Sequence, residues 1–175
     1  DTPLRPDAFD LDDEAKIKAI ESKFRDIMEI MGLDLTDDSL AGTPLRVAKM
    51  YVQEIFAGLN PANHPSVKTF DNIYGYDHML VERNITLNST CDHHFLPIVG
   101  VAHVAYIPED RVVGLSKLNR IVDHYAKRPQ VQERLSRQVL TALQEILGTP
   151  NVAVVMDAKH LCVSSRGIQD EGSST

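Results

Sequence analysis

The sequence predicts an α+β fold in which antiparallel strands are packed on one face by helices and preceded by an N-terminal helical arm. Three observations predict it. Apolar residues recur three and four apart over Ile17–Met31 and again beyond Ser116, the period of helices with one buried stripe. The stretches 79–90, 97–107 and 152–162 are rich in β-branched residues, as strands are. The first two of those stretches are separated by a short turn, which pairs them as a hairpin.

In chain order, residues 1–10 are polar with two prolines and are expected to be ordered only if docked. From about Asp13, the residues Ile17, Ile20, Phe24, Ile27, Met28 and Met31 form one helical stripe that ends at Gly32. A second helix is expected with Thr43 as N-cap and Pro44 at its first position, running to Gly58 with Val47, Tyr51 and Ile55 inward. The run from Asn60 to Pro65 is turn chemistry, so residues 1–60 read as the arm and 61–175 as the body of one structural domain. The hairpin carries Ile85, Leu87, Val99, Val101 and Val104. A helix from Ser116 follows, then another from Pro129 to Gly148, and Val152–Cys162 closes the chain as a strand.

Length and composition exclude several classes. At 175 residues the chain fits one domain, which buries roughly 70% of its unfolded surface. Its apolar runs fall short of the roughly 18 residues that a membrane helix needs, and no signal-peptide pattern is visible at the start. A net charge of −7 argues against nucleic-acid binding, so an anionic ligand must meet a local basic patch. Two cysteines allow at most one disulfide, and metal-bound thiolates in a reducing, cytoplasmic compartment are the better reading.

The chemistry concentrates at Cys91-Asp92-His93-His94 and His160-Leu161-Cys162. Zinc takes thiolate and imidazole, and a Cys-x2-His step lets one tight turn aim Cys91 and His94 at a single ion. Side chains alternate along a strand, so His160 and Cys162 are expected on one face. Spacing alone leaves open two inert thiols, a closed site with His160 as fourth ligand, and a three-ligand site with an open position. At Arg46, and at Lys117 and Arg120 behind a Ser116 N-cap, cations crowd helix starts, as surface charge or as anion ligands.

Cys91–Phe95, Gly114–Arg120, Arg128–Arg134 and His160–Cys162 through Arg166–Gly167 resemble the signature of the type I GTP cyclohydrolase family, in the family's order. The resemblance implies the tunnelling fold, in which sheets of neighbouring subunits close into a shared barrel, and a decamer of two pentameric rings with sites between subunits. It implies GTP as substrate, with opening and rearrangement to 7,8-dihydroneopterin triphosphate and formate, and one zinc per subunit on Cys91, His94 and Cys162. His160 and His93 are then proton carriers, and Ser116 assists the later sugar rearrangement. Glu133 reads guanine beside the Val131 and Gln132 backbone, while Arg46, Lys117, Arg120 and Arg166 line the triphosphate. No redox cofactor is implied, and a regulatory protein partner stays open. The family commonly has Glu where Asp92 stands, and it usually runs on past Thr175, so this C-terminus reads as trimmed.

Overall fold

The computed structural model describes residues 2–175 and has the mixed α+β architecture expected. Helix α1 (Asp13–Ile30) starts where the Asp12 carboxylate caps the Ala15 N–H at 2.8 Å. Of its apolar stripe only Ile17 and Met28 are buried, while Ile27, Ile30 and Met31 are exposed. A one-turn helix α2 (Asp38–Ala41), capped by Asp37, was not anticipated from periodicity. Helix α3 (Thr43–Lys49) is preceded by Gly42, so Thr43 is its first residue rather than its cap, and its hydroxyl accepts from Arg46 Nη2. The expected single helix to Gly58 instead widens into a π-helix over Met50–Ile55 and breaks into 3₁₀ turns at Ala57–Leu59 and Pro61–Asn63.

Strands β2 (Leu80–Cys91) and β3 (Pro97–Tyr106) form the hairpin, and β6 (Val152–His160) pairs antiparallel with β3 on its other side. A bulge between Glu82 and Ile85, with Asn84 at φ 59°, resets the register so that Ile85, Leu87 and Ser89 point into the core. In β3 the even positions Ile98, Ala102, Val104 and Tyr106 are buried, whereas Val99 is exposed on the opposite face. A small two-stranded sheet, β1 (Thr69–Asp71) with β4 (Arg111–Val113), lies apart from the main sheet order.

Two helices cover the inner face. Helix α4 (Leu115–Ala126) packs on β2 through Leu118, Ile121 and Val122, and α5 (Gln132–Leu147) packs on β6 through Leu135, Val139 and Leu143. Their starts correct the sequence reading. The Lys117 N–H bonds to the Gly114 carbonyl at 2.8 Å, which makes Gly114 the N-cap and leaves Ser116 one position inside α4. Pro129 and Gln130 are not helical either. They form β5, which pairs in parallel with Thr90–Cys91, and α5 starts only afterwards. Gly148 ends α5 in the left-handed region at φ 68°, where a side chain would be strained. Among the described residues no helix is long and apolar enough to cross a membrane.

The sheet order β5-β2-β3-β6 brings the far end of β2, the start of β3, the end of β6 and the start of α5 to one rim.

Candidate metal centre and active site

At that rim the hairpin turn is closed by two backbone bonds, Cys91 N–H to the Leu96 carbonyl at 2.8 Å and Phe95 N–H to the Cys91 carbonyl at 2.9 Å. Phe95 sits at φ 53°, a strained conformation for a bulky residue. Its ring is anchored edge-on against Phe56 and Tyr51, with centroids 5.1 and 6.3 Å away, so packing holds the turn that carries Cys91 to His94.

Cys162 reaches the same place by a route that strand alternation does not describe. Strand β6 stops at His160, and Leu161–Ser164 form one helical turn, α6. Serine hydroxyls favour that turn: Ser164 Oγ donates to the His160 carbonyl at 3.3 Å, and Ser165 Oγ donates to the Leu161 carbonyl at 2.6 Å. The shared-face argument for His160 and Cys162 therefore fails, yet the grouping survives. Ligand atoms of Cys91, His94 and Cys162 all lie within 4.8 Å of one another. Zinc bonds such atoms at about 2.0–2.3 Å, so two ligands on one ion stand at most about 4.6 Å apart, and the set fits with small adjustments.

The chemistry of the donors agrees with that fit. Burial, then the hydrogen bond and charge of Cys91, push the Cys162 thiol up, while the Arg166 cation pulls weakly the other way. A thiol that resists ionising is stabilised as the thiolate by a bound cation. A second set, Cys91, Asp92 and His93, is also within metal reach. There one oxygen of the Asp92 carboxylate, Oδ2, is taken by Arg134 Nη2 at 2.9 Å.

His160 stands beside the cluster with a defined partner. Gln132 Nε2 donates to the carbonyls of Met156 and Thr175, at 3.1 and 2.5 Å. Its Oε1 therefore faces His160 Nε2 at 2.8 Å, and that contact requires the His160 proton to sit on Nε2. Arg166 Nη1 lies 2.9 Å from His94 Nε2, which brings a guanidinium to the edge of the metal set. His93 is exposed, with Nδ1 at 3.8 Å from Cys91 Sγ and 3.6 Å from Asp92 Oδ1.

The remaining sequence-derived residues do not meet this cluster through hydrogen bonds or ion pairs among the described residues. Lys117 Nζ donates to the Ser66 carbonyl at 2.8 Å, and Arg46 Nη2 is tied to Ser39 O and Thr43 Oγ1, both at 3.2 Å. Ser116, Arg120 and Glu133 are exposed, and the Val131 backbone leads into α5. Sequence reasoning missed Arg134, whose only signal is its place one turn into a helix that starts beside Cys91. It also missed the Phe95, Phe56 and Tyr51 anchor, for which helical spacing gives no signal.

Comparison with known proteins adds the family. The profile described as GTP cyclohydrolase I matches residues 20–175. The chain is 64% identical over 173 residues to a protein named GTP cyclohydrolase 1 from Flavobacterium johnsoniae, covering 99% of this chain and 78% of the relative. It is 57% identical to the protein of that name from Salmonella arizonae and 55% identical to that from Enterobacter sp., each across 100% of this chain and 79% of the relative.

Proposed function

The chain belongs to the GTP cyclohydrolase I family, and from that premise we propose that it converts GTP to 7,8-dihydroneopterin triphosphate and formate, the entry step to folate and related pterins. The observation that carries this reading is the convergence of Cys91, His94 and Cys162 beside the hydrogen-bonded pair His160 and Gln132.

Zinc, one per subunit, is the ion we assign to Cys91, His94 and Cys162, and when bound it supplies the Lewis acidity that makes water nucleophilic near neutral pH. The protein's own groups do the rest. His160 protonates the imidazole nitrogen of guanine as water adds to carbon 8. Because Gln132 holds the Nε2 proton, the proton exchanged with substrate is the one on Nδ1. His93 is the second proton carrier, serving ring opening and loss of carbon 8 as formate. An imidazole suits both tasks because its ordinary pKa near ~6.5 lets it give and take protons at neutral pH. Ser116 assists the rearrangement of the ribose-derived chain.

Glu133 accepts from the guanine N1–H and amino group as a forked pair, with the backbone of Val131 and Gln132 alongside. Arg46, Lys117, Arg120 and Arg166 bind the triphosphate. Their dispersal around a single chain supports sites completed between copies, as does the exposed apolar end of α1, where Ile30 is 84% and Met31 61% exposed. A decamer of two pentameric rings in the cytoplasm is the assembly we assign.

The test is product analysis. Zinc-loaded protein given GTP should release one formate per GTP and accumulate a pterin triphosphate identified by mass. GTP left intact would refute the reading, and a ring-opened end product that keeps the purine's other atoms unrearranged would limit it to a simple hydrolase.

A further inference from the structure

Asp92 belongs to the metal-bearing turn yet has no part in the reaction as read above. Its surroundings are specific. The backbone N–H of Asp92 donates to the Gln130 carbonyl at 3.0 Å, and its Oδ2 accepts from Arg134 Nη2 at 2.9 Å. Arg134 is locked in turn, with Nε donating to Gln130 Oε1 at 3.0 Å and Nη2 also donating to the Pro129 carbonyl at 2.9 Å. Gln130 is fully buried and donates to the Tyr125 carbonyl and to Gln138 Oε1, both at 2.8 Å. The carboxylate cannot turn without dismantling that network.

Its second oxygen, Oδ1, is sealed from solvent and has no hydrogen-bond partner among the described residues. Native structures rarely leave a buried carboxylate oxygen unpaired, so a specific orphan of this kind points to a role. A nitrogen able to donate, His93 Nδ1, stands 3.6 Å away. That is too long for a hydrogen bond, but the His93 side chain is 71% exposed, so a small torsion of the ring closes the remaining ~1 Å. Cys91 Sγ, at 3.8 Å from the same nitrogen, is the weaker acceptor and belongs to the ligand set.

We propose that Asp92, held by Arg134, is the positioning residue for His93: it takes the Nδ1–H, fixing the tautomer that keeps the Nε2 lone pair free to exchange a proton with substrate. The proposal rests on the reading of His93 as a proton carrier.

Asp92→Asn discriminates sharply. Arg134 presents a donor, so the asparagine must turn its carbonyl oxygen there and its NH₂ toward His93. An amide proton in that place requires the lone pair on Nδ1 and drives the ring proton to Nε2. The zinc-loaded Asp92→Asn protein should keep its metal and its KM for GTP while kcat falls about 10²–10⁴-fold. Asp92→Glu should return kcat to within about tenfold of the parent. Neutron diffraction of the zinc-loaded proteins should place the His93 deuteron on Nδ1 in the parent and on Nε2 in Asp92→Asn. The proposal is overturned by a parent deuteron on Nε2, by unchanged kcat in Asp92→Asn, or by loss of zinc in that variant, which would make Asp92 a support of the ligand turn. A parent that fails to turn over GTP would sink the reading of His93 as proton carrier, and the deuteron positions would still decide what Asp92 does.

Discussion

Lowering the pH from 7 to 5 should cost this fold about 2 kcal/mol through one imidazole, that of His124. The ring is buried at the end of α4, 5% exposed, edge-on to His64 and Tyr125 with centroids 4.9 and 5.3 Å away. Its Nε2 faces Arg128 Nη2 at 2.8 Å, so it serves as an acceptor for a cation. Burial first, then the Arg128 charge, then His64 lower its pKa to about 4, against weaker upward pulls from Asp123 and the Asn63 carbonyl. A depressed pKa means that the unfolded chain takes the proton first. The stabilisation is complete above the ordinary value near 6.5 and is lost as pH falls toward about 4. At pH 5 the unfolded imidazole is almost wholly charged and the folded one almost wholly neutral, which gives the ~2 kcal/mol. Urea unfolding at pH 7, 6 and 5, with protein and zinc concentrations fixed, measures it. His124→Phe keeps an aromatic ring against His64 and removes the titration. That variant is expected to be less stable at every pH, because Arg128 loses its acceptor, but its pH slope should be shallower by about 2 kcal/mol over this range. Metal-linked protons contribute equally to both proteins, so equal slopes would refute the assignment.

Cys162→Ser and Cys91→Ser should each lose metal and GTP turnover together while keeping native far-UV dichroism, because the apolar core rather than the ion holds the sheet and helices together. Retained zinc in either variant would remove that cysteine from the ligand set. Glu133→Gln should keep zinc but compress the preference for GTP over ATP, which is expected to be at least ~10²-fold in the parent, as measured by kcat/KM. An unaltered preference would assign base reading to the Val131 and Gln132 backbone alone. Gly100→Ala should lower stability by about 2 kcal/mol or more in urea titration, since an added Cβ would stand 2.1 Å from the Asp157 carbonyl and 2.6 Å from the Ala158 Cα, and backbone cannot yield as a side chain can. A parent-like midpoint would contradict the β3–β6 register.

Helices and strands were legible in the sequence wherever one face is buried. The stripes Leu118, Ile121, Val122 and Leu135, Ala142, Leu143 advertise α4 and α5, and Ile85 with Leu87 marks the hairpin. Boundaries were less legible where a distant partner decides them. Pro129 and Gln130 leave the helix because Thr90 and Cys91 offer a parallel pairing 39 residues away in sequence, which no local pattern announces. The helix start at Gly114 depends on the end of β4, so the capping preference of serine pointed to the wrong residue. The grouping of Cys91, His94 and Cys162 was legible because few residue types ligate zinc and this chain has only two thiols. Its geometry was not, because the Ser164 and Ser165 hydroxyls turn the chain immediately after His160. Nor could the sequence show Arg134 reaching Asp92, a contact made only after α5 docks with its first turn against the hairpin.

The central claim, that Cys91, His94 and Cys162 together hold a zinc ion with a position left for solvent, is tested most directly by X-ray absorption at the zinc edge of the purified protein. Two sulfur scatterers at about 2.3 Å, with one imidazole nitrogen and one further light atom at about 2.0–2.1 Å, are expected. A shell without sulfur, or one with two imidazoles and no exchangeable oxygen, would contradict it.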